Sequence, residues 1–189
     1  MKSLVLMGIK HCGKTTQGKL LAQKLNLPFY DTDDLITKEY KKTPREIYNE
    51  GGKAEFMKAE AAVCKKLCES LKQEQNNCVI ATGGGICDNT EALDALHDIG
   101  IFIFLCAEEE TAANRIVREI KTEKDGTLTN LPSYIAKKSP SSLLEVRKIF
   151  HDFYTERVKI YSSIADVSIQ MKNAPKEENL SLILKGINL

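Results

Sequence analysis

Apolar residues in this chain come in short runs that stop at glycine or at a charged residue, and most runs are followed by a stretch with helical spacing. Ser3-Leu4-Val5-Leu6-Met7 stops at Gly8 and predicts a buried parallel strand. Residues 14–25 follow, with Leu20, Leu21 and Leu25 on one helical face. Leu27 to Asp31 predicts a second strand, and Cys78 to Thr82 a third that ends at Gly83-Gly84-Gly85. Ile101 to Leu105 predicts a fourth, wholly apolar and therefore central. Thr43-Pro44-Arg45-Glu46 is a capping box with proline at the first helical position, opening a short helix that ends near Gly51-Gly52. A longer helix is expected over residues 54–73. Asn89 or Thr90 caps a helix that reaches His97, and residues 109–121 form another. From Thr122 to Pro140 no period is sustained, and Gly126, Asn130, Pro132 and Pro140 sit among lysines and small polar residues, so this segment is expected to be mobile. Helical spacing resumes over 141–161, then a weak strand at 167–169 and a last helix over 175–185. Alternating strands and helices predict an α/β fold around a parallel sheet.

Composition narrows the function classes. A chain of 189 residues suits a single domain spanning residues 1–189, and its net charge of +1 excludes a strongly basic nucleic-acid binder or an acidic tail. The longest apolar run, Ile99 to Ala107, is far short of the roughly 20 residues of a membrane helix. The N-terminal apolar run is too short for a signal peptide and has no small-residue cleavage site. A cytoplasmic protein is expected, with no nucleic-acid or membrane partner, acting as a monomer. The six cysteines form no Cys-x-x-Cys pair. Cys64 and Cys68, four apart on a helix, read as two small apolar residues on one buried face.

Gly8-Ile9-Lys10-His11-Cys12-Gly13-Lys14-Thr15 carries the main chemical signal. It fits G-x-x-x-x-G-K-[ST] in full, follows an apolar strand and opens a helix. Backbone groups along Gly8, His11, Cys12 and Gly13, and onward through Lys14, Thr15 and Thr16, are placed to cradle phosphate oxygens. Lys14 supplies a point charge to the β- and γ-phosphates, and the Thr15 hydroxyl is a ligand for Mg²⁺. A nucleoside triphosphate is the expected ligand. The guanine motif Asn-Lys-x-Asp and the switch motif Asp-x-x-Gly do not occur, and the tip of the fourth strand, Leu105-Cys106, has no carboxylate for a metal. That carboxylate is sought instead in Asp31-Thr32-Asp33-Asp34. Read as an extended segment, these residues point Asp31 and Asp33 to the same side, at the carboxyl edge where open α/β sheets bind ligands. Asp31 then orients Mg²⁺ through water and Asp33 accepts a hydrogen bond from an attacking hydroxyl. Capping of a helix by Asp33 or Asp34 is the competing reading. The glycines 83–85 allow a substrate or a helix to approach the backbone closely, or make a simple turn.

Taken together, the phosphate loop, Leu27-Pro28-Phe29-Tyr30-Asp31-Thr32-Asp33, Ala81-Thr82-Gly83-Gly84-Gly85 and Arg157-x-x-x-Tyr161-x-x-x-Ala165-Asp166 resemble the shikimate kinases in order and spacing. Glu50-Gly51-Gly52 through Glu60, and Glu110-Thr111-x-x-x-Arg115, are similar to that family too. The likeness covers the chain from Leu4 to about Ile169. It implies a three-layer αβα P-loop kinase fold with a five-stranded parallel sheet. It also implies an acceptor-binding helical region near 33–60 and a mobile lid near 122–140. The implied reaction moves the γ-phosphoryl group of ATP to the 3-hydroxyl of shikimate, on the route to chorismate and the aromatic amino acids. By motif position Lys14 and Thr15 take the nucleotide and metal roles, Asp31 supports Mg²⁺, and Asp33 is the candidate base. Gly83, Gly84 and Gly85 line the shikimate pocket, Arg157 pairs with its carboxylate, and Arg118, or Arg115 if the motif is shifted, lies beside the adenine.

Two positions depart from the family pattern. Phe56-Met57-Lys58-Ala59-Glu60 replaces Phe-Arg-x-x-Glu, so Met57 stands where an arginine usually helps hold the carboxylate. Lys58 is adjacent, but one residue along a helix turns about 100°. Leu131-Pro132 replaces the lid's Arg-Pro, leaving Lys121, Lys124, Lys137 or Lys138 to supply that charge. Two alternatives follow: a kinase of this fold with another small hydroxylated acceptor, or a nucleotide-binding protein with little catalysis.

Overall fold

The computed structural model describes residues 2–189. In chain order it contains β1 (Ser3–Met7), α1 (Lys14–Leu25), β2 (Phe29–Asp31), α2 (Thr32–Tyr40), α3 (Pro44–Glu74), β3 (Val79–Ala81) and α4 (Thr90–His97). Then follow β4 (Gly100–Cys106), α5 (Glu109–Glu119), β5 (Lys121–Thr122), β6 (Leu128–Thr129), α6 (Ser133–Ala136), α7 (Leu143–Ile164), β7 (Val167–Gln170) and α8 (Lys176–Gly186). A 3₁₀ turn, Ile86–Asp88, lies between β3 and α4.

Five parallel strands form the main sheet in the order β2-β3-β1-β4-β7. All five residues of β1 are buried. Because successive side chains of a strand point to opposite faces, helices must cover both faces there, which makes three layers. The apolar strand β4 is interior, between β1 and β7, while β1 holds the middle position. The Phe104 ring of β4 stacks on Tyr161 of α7, with centroids 5.3 Å apart. Ligands of such sheets bind at the carboxyl ends of the strands, where order and chain direction leave a crevice. The loop after β1 and the turn after β3 both emerge at that edge.

The capping box forms as its sequence requires: Glu46 N–H donates to Thr43 Oγ1, and the Glu46 carboxylate accepts from Thr43 N–H. The break expected at Gly51-Gly52 is a kink inside α3 at Gly52, with φ 73° and ψ −171°. The helix α2 and both arms of α3, before and after the kink, share a small core of Ile36, Ile47, Ala59 and Val63. Cys64 and Cys68 are buried, and burial pushes both thiols up, Cys68 to about 11.

Two regions differ from the sequence reading. The segment Asp31 to Asp34 is not extended throughout. The strand stops at Asp31, whose side chain caps α2 by accepting from Asp33 N–H at 3.1 Å. Asp33 and Asp34 are therefore consecutive helical residues, and strand alternation does not relate them. The segment 122–140 also holds regular structure. β5 and β6 pair antiparallel, and the one-turn helix α6 buries Ile135 completely and stacks Tyr134 on Phe153 with centroids 3.8 Å apart. Few apolar residues fix this segment, which explains why no period is visible in it.

Candidate active site

The loop between β1 and α1 is shaped by its glycines. Gly8 has φ 144°, and a Cβ there would lie 2.8 Å from the Leu105 carbonyl oxygen. Gly13 has φ 100° and precedes α1 with no side-chain cap. The first N–H groups of α1 thus have no side-chain cap, and a helix N-terminus of that kind suits an anion. Lys14 is buried and its ammonium is folded back onto the loop, donating to the carbonyls of Gly8 at 2.8 Å and Ile9 at 2.9 Å. The Thr15 hydroxyl donates to Asp31 Oδ2 at 2.8 Å. That pair joins two hard oxygen donors from different elements, the donor type that suits Mg²⁺, which takes one or two protein oxygens with the rest from phosphate and water.

These groups open onto a cavity of about 670 Å³ whose walls include Thr16, Asp33, Gly84, Arg115 and Arg118. Asp33 is solvent-accessible at its edge. Surrounding protein and then the Asp31 carboxylate raise its pKa, and Lys14 opposes them. His11 and Cys12 line the loop side. Burial and then Lys10 lower the pKa of His11, while Glu119 opposes. Of the two arginines, Arg115 is half-buried and donates to the His11 carbonyl at 2.6 Å, whereas Arg118 is exposed on the rim. On the far wall are Lys172, Lys176 and Asn179. The amide of Asn179 bonds both the N–H and the carbonyl of Lys172, fixing the loop between β7 and α8. Sequence reading missed this wall, because a lone asparagine in a short last helix carries no pattern.

Each glycine after β3 has a different neighbour. Gly83 N–H donates to Thr32 Oγ1 at 3.0 Å, and a Cβ on Gly83 would meet Glu60 and Asp33 at 3.0 and 3.3 Å. A Cβ on Gly84 would stand 2.8 Å from Lys10 N, so close approach to the phosphate loop requires glycine there. Gly85 has open space. Tyr161 donates to the Gly84 carbonyl at 3.0 Å. Of the three glycines expected to line a pocket, Gly84 lines the cavity and Gly83 and Gly85 do not: Gly83 is buried against Thr32 and Glu60.

Glu60 stands behind this turn, 1% exposed. Its Oε2 accepts from Asn89 Nδ2 at 2.8 Å, and its Oε1 has no partner. Burial pushes its carboxyl up to about 7, against the Asn89 hydrogen bond and helped by Asp33 and Asp88. Arg157, four residues before Tyr161, reaches the same turn but not the cavity wall. Its fork grips Asp88, Nη1 to Oδ1 at 2.5 Å and Nη2 to Oδ2 at 2.8 Å. Lys53 closes on Asp88 Oδ2 at 2.7 Å. The segment 122–140 touches the arm of α3 before the kink, through Arg45 to Asn130 at 3.1 Å and Lys137 Nζ to Tyr48 Oη at 2.7 Å.

Comparison with known proteins places this arrangement. The family model described as "Shikimate kinase" matches residues 10–188. Shikimate kinase of Aquifex aeolicus is 33% identical over 185 residues, covering 97% of this chain and 96% of its own. The crystal structure of the Aquifex aeolicus enzyme superposes with a TM-score of 0.71 at 32% identity, covering 98% of this chain and 96% of that one. A shikimate kinase from Acinetobacter baumannii, in complex with shikimate, has the same fold, with a TM-score of 0.78 at 24% identity over 100% of this chain and 93% of its own. The phosphate loop, the capping Asp31, the glycine turn and Arg157 thus occur within a match that runs almost the whole length of the chain, which belongs to the shikimate kinase family.

Proposed function

We propose that this chain transfers the γ-phosphoryl group of ATP to the 3-hydroxyl of shikimate. The observation that carries the reading is the convergence of Lys14, the Thr15–Asp31 pair and Asp33 on one cavity, beside a glycine turn. Each group has work in that reaction. N–H groups at the start of α1 hold the phosphates, and Lys14 exchanges its loop carbonyls for phosphate oxygens. Thr15 and Asp31 would hold Mg²⁺, which supplies charge neutralisation across the phosphates when bound. Asp33 accepts the proton of the attacking hydroxyl. Its raised pKa suits that task, since a stronger base takes a proton more readily provided it remains ionised at the working pH. Gly84 lets the acceptor approach backbone, and Arg157 recognises its carboxylate. Arg115 and Arg118 face the nucleoside end. The segment 122–140 acts as a lid over the cavity, excluding water that would otherwise hydrolyse ATP.

A second reading, another small hydroxylated acceptor, is favoured by one observation: the Arg157 fork is already filled by Asp88, and Met57 offers no cation. ADP release measured by a coupled assay with ATP and Mg²⁺ separates the two. Shikimate-dependent ADP release supports the first, and release stimulated only by other polyols supports the second.

A further inference from the structure

The carboxylate of Asp88 is held as a ligand would be. It receives both arms of the Arg157 guanidinium and the Lys53 ammonium, while Arg157 also rests over the Phe153 ring at 5.1 Å. Bidentate guanidinium–carboxylate pairs are among the strong charge-assisted contacts. The three residues come from separate elements: Asp88 from the turn after Gly85, Arg157 from α7, and Lys53 from the first turn beyond the Gly52 kink. Lys53 is four residues before Met57, so the two share one face of α3. A cation missing at 57 is thus present one turn earlier, where its ammonium contacts the same carboxylate as Arg157. Asp88 itself is only partly covered, with 22% of its side chain exposed, and Lys53 is 56% exposed. Neither Asp88 nor Lys53 belongs to the hydrophobic core.

On the reading that the acceptor carries a carboxylate, we propose that Lys53 is the second cation of the acceptor-carboxylate clamp and that Asp88 is its internal counter-anion, which the acceptor displaces. Apparent affinity for the acceptor is then reduced by the fraction of molecules in which Asp88 holds the clamp. Asp88 sets acceptor specificity as well, because a neutral polyol has no carboxylate with which to expel it.

The test measures shikimate KM and kcat by coupled ADP release, and shikimate Kd by calorimetry, for wild type, Asp88→Asn, Lys53→Met and Lys58→Met. Asp88→Asn keeps the shape of the side chain and removes the competing charge. Its KM and Kd should fall at least fivefold, with kcat changing far less than KM. Lys53→Met should raise KM and Kd about tenfold, while Lys58→Met should leave both within twofold. A purely structural ion pair predicts the reverse for Asp88→Asn: a lower melting temperature with an unchanged or raised KM. That result, or a Lys53→Met variant with wild-type KM and Kd, overturns the clamp while leaving the acceptor assignment intact. Absence of shikimate-dependent ADP release in wild type and every variant overturns the acceptor assignment and the clamp together. Should Asp88→Asn fold poorly, the contrast between Lys53→Met and Lys58→Met decides the matter.

Discussion

Glu60→Gln is expected to make the protein more stable, and more so as pH rises. The Glu60 carboxyl is buried, one oxygen has no partner, and its pKa is pushed from an ordinary 4.5 to about 7. Below pH 4.5 it is protonated in folded and unfolded chains alike and burial carries little penalty. As pH rises through the window from 4.5 to about 7 the unfolded chain ionises first, so the unfolded state is favoured progressively. At about 1.4 kcal/mol per pH unit, this destabilisation is roughly 1 kcal/mol at pH 5 and roughly 3 kcal/mol at pH 8. Glutamine has no charge to desolvate, and its carbonyl can still accept from Asn89 Nδ2, so the substitution removes the pH-dependent part alone. Urea unfolding of both proteins at pH 5, 6, 7 and 8 gives the comparison. The stability difference between variant and wild type should widen by about 2 kcal/mol across that range. A difference constant to within about 0.5 kcal/mol would refute the reasoning, since it would mean that Glu60 titrates alike in both states.

Four further outcomes are expected. Lys14→Ala should reduce turnover by about a thousandfold or more with little loss of fold, measured by ADP release and circular dichroism; near-native turnover would displace the active site. Asp33→Asn should lower kcat much more than ATP affinity, whereas Asp34→Asn, on the next helical position, should have little effect; equal losses would remove the distinction between them. Arg157→Ala should raise shikimate KM at least tenfold, about 1.4 kcal/mol, and an unchanged KM and kcat would exclude Arg157 from recognition. Trypsin cleavage after Lys121, Lys124, Lys137 or Lys138 should slow when nucleotide and acceptor are both bound, and equal rates with and without them would count against a lid.

Elements with a strong local cause were legible in the sequence. The apolar runs of β1 and β4, the Thr43 capping box and the Gly51-Gly52 break each act within a few residues. The phosphate loop was legible because its chemistry is written in one contiguous octet. Asp31 and Asp33, expected together at the sheet edge, both line the cavity beside the loop, but the strand alternation that suggested it is replaced by a helix cap. The helix α2 buries only Thr32 and Ile36, too few positions to show a period. The hairpin around Asp125-Gly126 has two-residue strands with polar flanks, so its turn signal stands alone. The Asp88–Arg157 pair joins residues 69 apart, and nothing in a local pattern announces which carboxylate an arginine will find. Glu60 entered only as part of a family-like stretch, because its isolation is a property of the packed turn.

The strand order β2-β3-β1-β4-β7 has a consequence for how this enzyme can change. Residues 29–89 form one flank of the sheet together with the helices and turn that carry Asp33, Lys53, Glu60 and the glycines. The loop after β1 and the wall from β4 through α8 line the cavity from the middle and the opposite flank, where the proposed reading puts the nucleotide. On the proposed reading, most acceptor-facing groups are a cassette, one stretch of chain, which α7 reaches from outside at Arg157 and Tyr161 and the segment 122–140 at Asn130 and Lys137. On that reading, a descendant with a different acceptor rewrites that cassette and one face of one helix but keeps Asp31, the one cassette residue tied to the donor side through Thr15.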